Sequence, residues 1–333
     1  MKINQYLILS FILASLILPN ISLAKDLSET KNIDKLQNSN SNKSSDKKFS
    51  LGIFGSYQKS EFSFDTPAAH SILKWREMRG YSIGTELKYK TFSDQNDNLI
   101  KGNDIFFSYE YSNLKGEGTD DDISNYDKDY GFSYYSIQKA KGYGHDFRLG
   151  TSFDFEKFSN ITPSLRIGGF NKMIKFDMND GVGAGFSINS PSSASLYYDK
   201  ISGLGQRTRS QFSGLFIGGK LSHKNGDSEN ALIFDFYPAV KYFGKQFWPQ
   251  REPESQNWEL EGAKPGYGFK VALEHYFKVN NQTLKLFSSF ESIKINELIE
   301  SAYYYTINGG DANSTVKGNA KYNSFNMGLG FYF

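Results

Sequence analysis

The chain has 333 residues, of which 38 are Lys or Arg and 36 are Asp or Glu, so its formal net charge is +2. So small an excess of positive charge argues against a domain that binds the phosphates of nucleic acid. The mean hydropathy of −0.52 excludes a protein with several helical membrane spans. The absence of Cys excludes disulfides and thiolate zinc sites, and the length suits one large all-β domain.

The first 24 residues have the three parts of a secretory signal peptide. Lys2 supplies the positive charge, residues 6–18 form the apolar segment, and Ser22-Leu23-Ala24 is a small-x-small cleavage site. The alternative is an uncleaved membrane anchor, for which the apolar run is short. The pattern predicts an exported chain that begins near Lys25 after cleavage.

Residues 25–48 form a polar leader in which Leu27, Ile33 and Leu36 are the only apolar residues. Such a segment buries too little apolar surface to offset the entropy lost on ordering, so we predict that it is disordered. The composition changes abruptly at Phe49, which predicts a single folded domain over residues 49–333.

The last residues of the chain alternate between two kinds of side chain. One face carries Phe325, Met327, Leu329, Phe331 and Phe333, and the other carries mostly small or polar residues. This period of two is typical of a strand with lipid on one side and a polar lumen on the other. The same alternation recurs over residues 146–155, 232–236 and 267–278. A soluble β-sandwich is the alternative, whereas a barrel turns its charged face inward and leaves no strand edge unpaired.

Division of the chain on these runs predicts ten strands, at residues 49–64, 71–92, 103–116, 140–156, 162–179, 204–222, 230–247, 264–279, 283–303 and 318–333. Connections at one end are mostly short, and those at the other end, over 117–139, 180–203, 248–263 and 304–317, are long. Short periplasmic turns and long external loops are typical of outer-membrane barrels. We therefore predict an all-β fold, a transmembrane antiparallel up-and-down β-barrel in the bacterial outer membrane, with residues 119–129 and 191–194 exposed outside.

Several short motifs resemble those of one family. They are Phe49-Ser-Leu-Gly-Ile53 in the first strand, Ser71-Ile-Leu-Lys-Trp75 in the second, and the Gly-rich approach Lys115-Gly-Glu-Gly-Thr119 to an Asp-x-Asp pair. With the strand number, they resemble the omptins, outer-membrane proteases of Gram-negative bacteria. A porin-like family with the same fold would share these features.

The resemblance implies a catalytic cleft with an Asp-x-Asp pair on one wall and an Asp-x-His pair on the other. Asp120 and Asp122 match the first pair. Trp248 and Gln250 stand near the positions of the second, and neither accepts a proton at neutral pH. His70 is the only His whose predicted position, in the first external loop, permits a rebuilt pair. If the chain is an enzyme, the candidate catalytic residues are therefore these two Asp and His70.

Other interpretations of the acidic residues stay open, namely a solvated acidic loop or a loose cation site. A calcium loop fits poorly, because the Gly and the Glu that it requires are absent at the necessary spacings. No metal and no cofactor is expected.

Omptins also contact lipopolysaccharide, so the resemblance makes Arg207, Arg209 and Lys245 candidate contacts with its phosphates, and lipopolysaccharide a candidate requirement. The alternative is that these three residues form ion pairs in the lumen. The expected partners are outer-membrane lipid, the barrel-assembly machinery and a host or surface ligand of the external loops.

Three functions compete at this stage. The first is a structural or interaction barrel that acts through its external loops, the second a narrow porin, and the third a diverged omptin-type endopeptidase. Inward charges such as Asp154, Arg148, Lys270 and Glu274 are predicted to fill a narrow lumen, which disfavours a wide pore. The missing Asp-x-His pair disfavours the protease.

Overall fold

The computed structural model describes residues 49–66, 71–93, 99–126, 130–190, 193–249, 257–280, 282–302 and 318–333. The predicted signal peptide and leader lie outside the described residues, as do His70 and Gln250. No helix in the described part of the chain is long and apolar enough to cross a membrane.

The described residues form eleven strands that pair antiparallel in one sheet. They are β1 (Phe49–Thr66), β2 (Ser71–Ser93), β3 (Ile100–Tyr126), β4 (Tyr130–Phe155), β5 (Ile161–Ser190), β6 (Ser193–Asn225), β7 (Ser228–Phe247), β8 (Asn257–Gly262), β9 (Gly266–Val279), β10 (Gln282–Ala302) and β11 (Gly318–Tyr332). β1 pairs with β11, which closes the sheet into a barrel. The all-β, antiparallel barrel prediction is confirmed.

β8 and β9 lie end to end between β7 and β10 and share one place in the ring. The ring therefore has ten positions, which we number in chain order from β1 at position 1 to β11 at position 10. β8 lies in a stretch that is predicted as loop, and β9 matches the predicted eighth strand. Two strands five positions apart face each other across the lumen.

The strands extend further than predicted at one end of the barrel, which we call the upper end. β3 continues to Tyr126 and β4 starts at Tyr130, through residues 117–139 that are predicted as a loop. β5 and β6 likewise run to Ser190 and from Ser193. These loop predictions are wrong because an apolar outward face marks the predicted strands, whereas backbone pairing continues beyond the point where that face ends. At the lower end the connections 156–160, 226–227 and 280–281 are as short as predicted.

The outer face of the lower barrel carries an uncharged, largely apolar band. Leu149, Leu215 and Phe331 on this band are 58%, 70% and 43% exposed. On β9 the band extends from Tyr267 to Phe277, which agrees with the ~9–11 residues that a tilted strand needs to cross lipid. The band ends abruptly where charged residues begin.

The alternation reverses its polarity above the band. In β1, Ile53 and Tyr57 point outward and Ser56 is buried in the lumen, whereas higher up Phe62 and Phe64 are buried in the lumen. β5 changes in the same way, from buried Lys172 to buried Phe176 and Met178. The lower barrel thus has a polar interior and an apolar exterior, while the upper barrel has an apolar core and a polar exterior.

Candidate functional site

Aromatic side chains fill the lumen of the upper barrel. The ring of Trp75 stacks on Phe62 at 5.4 Å and on Phe176 at 6.0 Å between centroids. Phe62 also meets Phe212 edge-on at 6.1 Å. These four side chains come from β2, β1, β5 and β6, and each is at most 1% exposed. We call them the aromatic plug, and they close the lumen because Phe62 and Phe212 project from opposite positions of the ring.

A layer of buried ions lies below the aromatic plug. Glu291 of β10 accepts hydrogen bonds from Arg148 at 2.5 Å and from Tyr237 at 2.7 Å, and it pairs with Lys172 at 2.7 Å. Lys172 also pairs with Asp146 at 2.8 Å. Arg148 at position 4 and Glu291 at position 9 face each other, so this ion layer also spans the lumen. Arg148 points inward and is paired, as the sequence predicts.

A second ionic network lies nearer the lower end. Lys285 pairs with Glu86 at 3.0 Å and with Glu274 at 2.6 Å. Lys88 pairs with the same Glu86 at 2.9 Å, and Tyr332 donates a hydrogen bond to it. Two cations and two carboxylates therefore neutralise one another, which meets the cost of placing charges away from bulk water.

The acidic pair lies on the inner wall of the upper barrel rather than in a loop. Asp120 and Asp122 belong to β3, and their neighbours in register are Leu73 and Ser71 of β2. Asp120 is only 4% exposed, so the solvated-loop interpretation does not hold for it. Thr119 is also buried, at 2% exposure, and the predicted external location of residues 119–129 stays a prediction. Asp120 is buried because β3 still pairs with β2 and β4 at this height, so that its inward side chains stay inside the barrel.

The residue near the expected second pair whose side chain the structure describes, Trp248, cannot act as a general base. Trp248 follows β7 and belongs to the buried apolar core at 9% exposure. His145 lies on the outer face, as predicted, and its Nδ1 is 3.0 Å from the hydroxyl of Tyr109. His275 bonds Asn230 at 2.8 Å near the lower end. The predicted catalytic role of Asp120, Asp122 and His70 stays a prediction.

A ring of cationic side chains, which we call the collar, lies on the outer face just above the uncharged band. It consists of the first charged outward residue on nine of the ten positions: Lys59, Arg79, Lys115, Lys141, Lys175, Arg209, Lys241, Lys294 and Lys321. Several members stand directly opposite each other in register, as Lys115 does with Arg79 and with Lys141, and Lys175 with Arg209. Like charges in such positions repel, so the collar favours an anionic ligand.

The candidate lipopolysaccharide contacts lie on this outer surface. Arg209 belongs to the collar, and Lys245 is its neighbour in register. Lys245 pairs with Glu259 at 2.5 Å, and Arg207 pairs with Asp177 at 2.7 Å. Thr208 and Gln246 are buried in the lumen. Arg207, Arg209 and Lys245 are their neighbours in the sequence and therefore point outward. The alternative that these three residues form ion pairs inside the lumen is wrong.

Within the collar, Glu77 provides a fixed counter-charge. It sits at a bulge of β2 with a positive φ of 51°. Its carboxylate accepts hydrogen bonds from Lys59 at 2.5 Å and from Arg79 Nε at 3.0 Å. These hydrogen bonds hold the pKa of Glu77 below its usual value.

One solved structure resembles this barrel over nearly its whole length. The outer-membrane protease OmpT of Escherichia coli superposes with a TM-score of 0.69 at 12% identity, over 86% of this chain and 96% of that chain. The fold is omptin-like. Ail of Yersinia pestis gives a TM-score of 0.24 at 8% identity, over 85% of this chain and 98% of that chain. The toluene transporter TodX of Pseudomonas putida gives 0.21 at 8% identity, over 86% and 89%.

No protein-family model matches the chain, and no curated protein matches it. The omptin-like resemblance that the motifs indicate is confirmed at the level of the fold.

Sequence reasoning missed the aromatic plug, although a signal for it was present. Phe62 and Phe64 share the inward parity of Ser56 and Gln58, which fixes their direction once the phase of β1 is known. Along the inward face of β1, the side chains therefore change from polar (Ser56, Gln58) to aromatic (Phe62, Phe64), and this change is the signal in the sequence for the aromatic plug.

Proposed function

We propose that this chain is an outer-membrane barrel protein with a closed lumen, which acts through its outer surface and upper extension as an interaction protein. The observation that carries the proposal is the contact of Phe62 with Phe212 across the lumen. Placement in the outer membrane is supported by the uncharged outer band and by the omptin-like fold.

The closed lumen argues against a porin. Two consecutive layers, the aromatic plug and the ion layer, each connect opposite walls. A solute that crossed the barrel would have to displace stacked rings and then break a buried ion network. We therefore expect no steady conductance when the purified protein is inserted into a planar lipid bilayer, under conditions in which a known porin gives clear steps. Stable porin-sized steps would refute the closed-barrel proposal.

Lipopolysaccharide is the proposed ligand of the collar. Lys115, Lys141 and Arg209 make no ion pair with any described residue. Both register neighbours of Lys115 and both of Arg209 are cations, and Lys141 lies between Lys115 and Asp177, whose carboxylate is already paired with Arg207. Phosphate groups at the boundary of the uncharged band would supply the missing negative charge, because cations and phosphates form strong charge-assisted hydrogen bonds. This part of the proposal concerns surface recognition and makes no use of the lumen.

A diverged endopeptidase is the second candidate, since Asp120 and Asp122 do lie on an inner wall of the upper barrel. Ser71, which follows His70 in the sequence, is the register neighbour of Asp122. We nevertheless place this function second because Trp248, which stands near the expected second pair, offers no proton acceptor and is packed in the core. A peptidase assay on the refolded protein with lipopolysaccharide tests it.

A further inference from the structure

The lower lumen contains a cavity of about 120 Å³ that the proposed function does not use. It opens toward the lower end, where the side chains of Lys88 and Lys220 are 29% and 22% exposed. Above it, Arg148 and Glu291 of the ion layer are only 6% and 4% exposed. The adjoining space higher in the lumen measures about 10 Å³, which holds about one water molecule. The cavity is therefore a pocket with one entrance.

Most of the charges that line this pocket are already neutralised by each other. The second ionic network accounts for Glu86, Lys88, Glu274 and Lys285. Arg166 pairs with Asp235 at 2.9 Å, and Lys220 pairs with Glu229 at 3.2 Å. Among the described residues, the lining charges without an ion pair are Asp104, Glu110 and Lys270.

Two of these charges have opposite sign and stand on opposite walls. Glu110 belongs to β3 at position 3, and Lys270 belongs to β9 at position 8, five places away in a ring of ten. Both line the same pocket and attract each other across it without a direct ion pair. The register neighbours of Lys270 are Asp235 and Glu291, whose carboxylates are already bound by Arg166, and by Arg148 and Lys172, respectively. The pocket therefore presents a carboxylate on one side and an ammonium on the other.

The wall around Glu110 is rich in hydrogen-bond acceptors. Glu110 Oε1 accepts hydrogen bonds from Ser82 Oγ at 2.5 Å and from Asn326 Nδ2 at 3.5 Å. The Oδ1 of Asn326 has no donor among the described residues, and Asn326 is 8% exposed. Asp146, the register neighbour of Glu110, likewise has an Oδ1 without a donor there. Buried acceptors normally find a donor, and three acceptors on one wall match the three N–H groups of an ammonium.

We infer that this pocket binds a small zwitterion of the amino-acid class. Its ammonium group would be held by Glu110, Asp146 and Asn326, and its carboxylate by Lys270 on the facing wall. The volume of the pocket corresponds to about ten water-sized groups, which is enough for a small amino acid. The ligand enters from the lower end, because the ion layer and the aromatic plug close the other side.

The test is calorimetric titration of the refolded protein in lipopolysaccharide-free detergent micelles. The probes are L-alanine and 4-aminobutyrate, each compared with its analogues that lack the ammonium group (propionate, butyrate) or the carboxylate (ethylamine, propylamine). We expect at least one zwitterion to bind at least tenfold more tightly than both of its analogues, since each analogue leaves one wall without a partner. Equal binding of zwitterion and analogues, or no binding of any probe, would overturn the inference.

Variants locate the site. Glu110→Gln and Lys270→Met should each weaken zwitterion binding at least tenfold, whereas Lys278→Met should not, because Lys278 lies on the same strand but is 59% exposed and pairs with Asp227. If Lys270→Met does not fold, Lys270→Arg, which keeps the charge, should retain binding while Glu110→Gln loses it. Unchanged binding in Glu110→Gln would refute the assignment. The experiment needs neither a membrane nor lipopolysaccharide, so its outcome is independent of the proposed function.

Discussion

The rings of Phe62 and Phe212 meet edge-on at 6.1 Å between centroids although the two residues are 150 positions apart in the sequence. β1 and β6 are never neighbours in the sheet, and their side chains touch only because the ring brings position 6 opposite position 1. Trp75 and Phe176 stack beside them. The lumen is thus closed by side chains of the wall strands themselves.

Removal of one ring from the aromatic plug should destabilise the barrel strongly. Phe212→Ala is expected to lower the free energy of unfolding by ~3–5 kcal/mol, because it leaves a cavity between rings that cannot collapse on a closed sheet. The matched control is Phe331→Ala on the outer band, where Phe331 is 43% exposed. Denaturant unfolding in detergent micelles measures both, and equal losses would contradict the central role of the plug.

The ion layer should be sensitive to loss of its acid. Glu291→Gln leaves Arg148 and Lys172 short of negative charge in a buried site, so we expect a loss of ~3–5 kcal/mol in the free energy of unfolding. The control is Glu297→Gln, which removes an ion pair with Lys264 whose partners are 39% and 70% exposed. Exposed pairs contribute at most ~1 kcal/mol. The same denaturation experiment compares the two variants.

The collar should respond in opposite ways to the presence and absence of lipopolysaccharide. In lipopolysaccharide-free micelles, replacing both Lys115 and Lys141 with Gln should stabilise the barrel by a few tenths of a kcal/mol, since register neighbours of like charge are removed. Binding to vesicles that contain lipopolysaccharide should weaken in the same variant, with a smaller dependence on salt.

Lys278→Gln at the lower rim is the control for the collar and should leave vesicle binding unchanged. If the double variant bound lipopolysaccharide vesicles as well as the unaltered protein, the collar would not be the contact surface.

Glu77 should make part of the stability depend on pH. Its pKa is lowered in the folded state, chiefly by hydrogen bonds from Lys59 and Arg79. Its contribution is therefore fully present above the usual carboxyl value of 4.5 and is lost as the pH falls through the lower folded-state pKa. We expect Glu77→Gln to be less stable than the unaltered protein at neutral pH and equally stable at strongly acidic pH. Thermal unfolding across this range checks the sign, and a pH-independent difference would contradict it.

Peptide cleavage is expected to stay at background. The refolded protein with lipopolysaccharide should not cleave peptides that contain paired basic residues, because loss of a positioned general base costs ~10²–10⁴-fold in rate. Asp122→Ala should then change no rate. Cleavage that Asp122→Ala abolishes would establish the endopeptidase instead, and a further loss in His70→Ala would identify the base.

The sequence by itself determined that side chains alternate along each strand and which of them point outward. It also predicted that the strands close into a barrel, because each has one apolar face. Those properties are local, because side chains alternate with a period of two along any strand. Arg148, Lys270 and Glu274 point inward as predicted, since parity alone decides their direction. The same alternation could not predict where the upper strands end, because their outward side chains above the band are polar, like those of a loop.

Only the tertiary structure decided which inward residues meet. Contacts of Phe62 with Phe212, and of Arg148 with Glu291, depend on the number of positions in the ring and on the stagger between neighbouring strands. No period along the chain encodes those two quantities. The same closure sets Glu110 and Lys270 on facing walls of a pocket and buries Asp120, which its acidic surroundings in the sequence had suggested to be exposed.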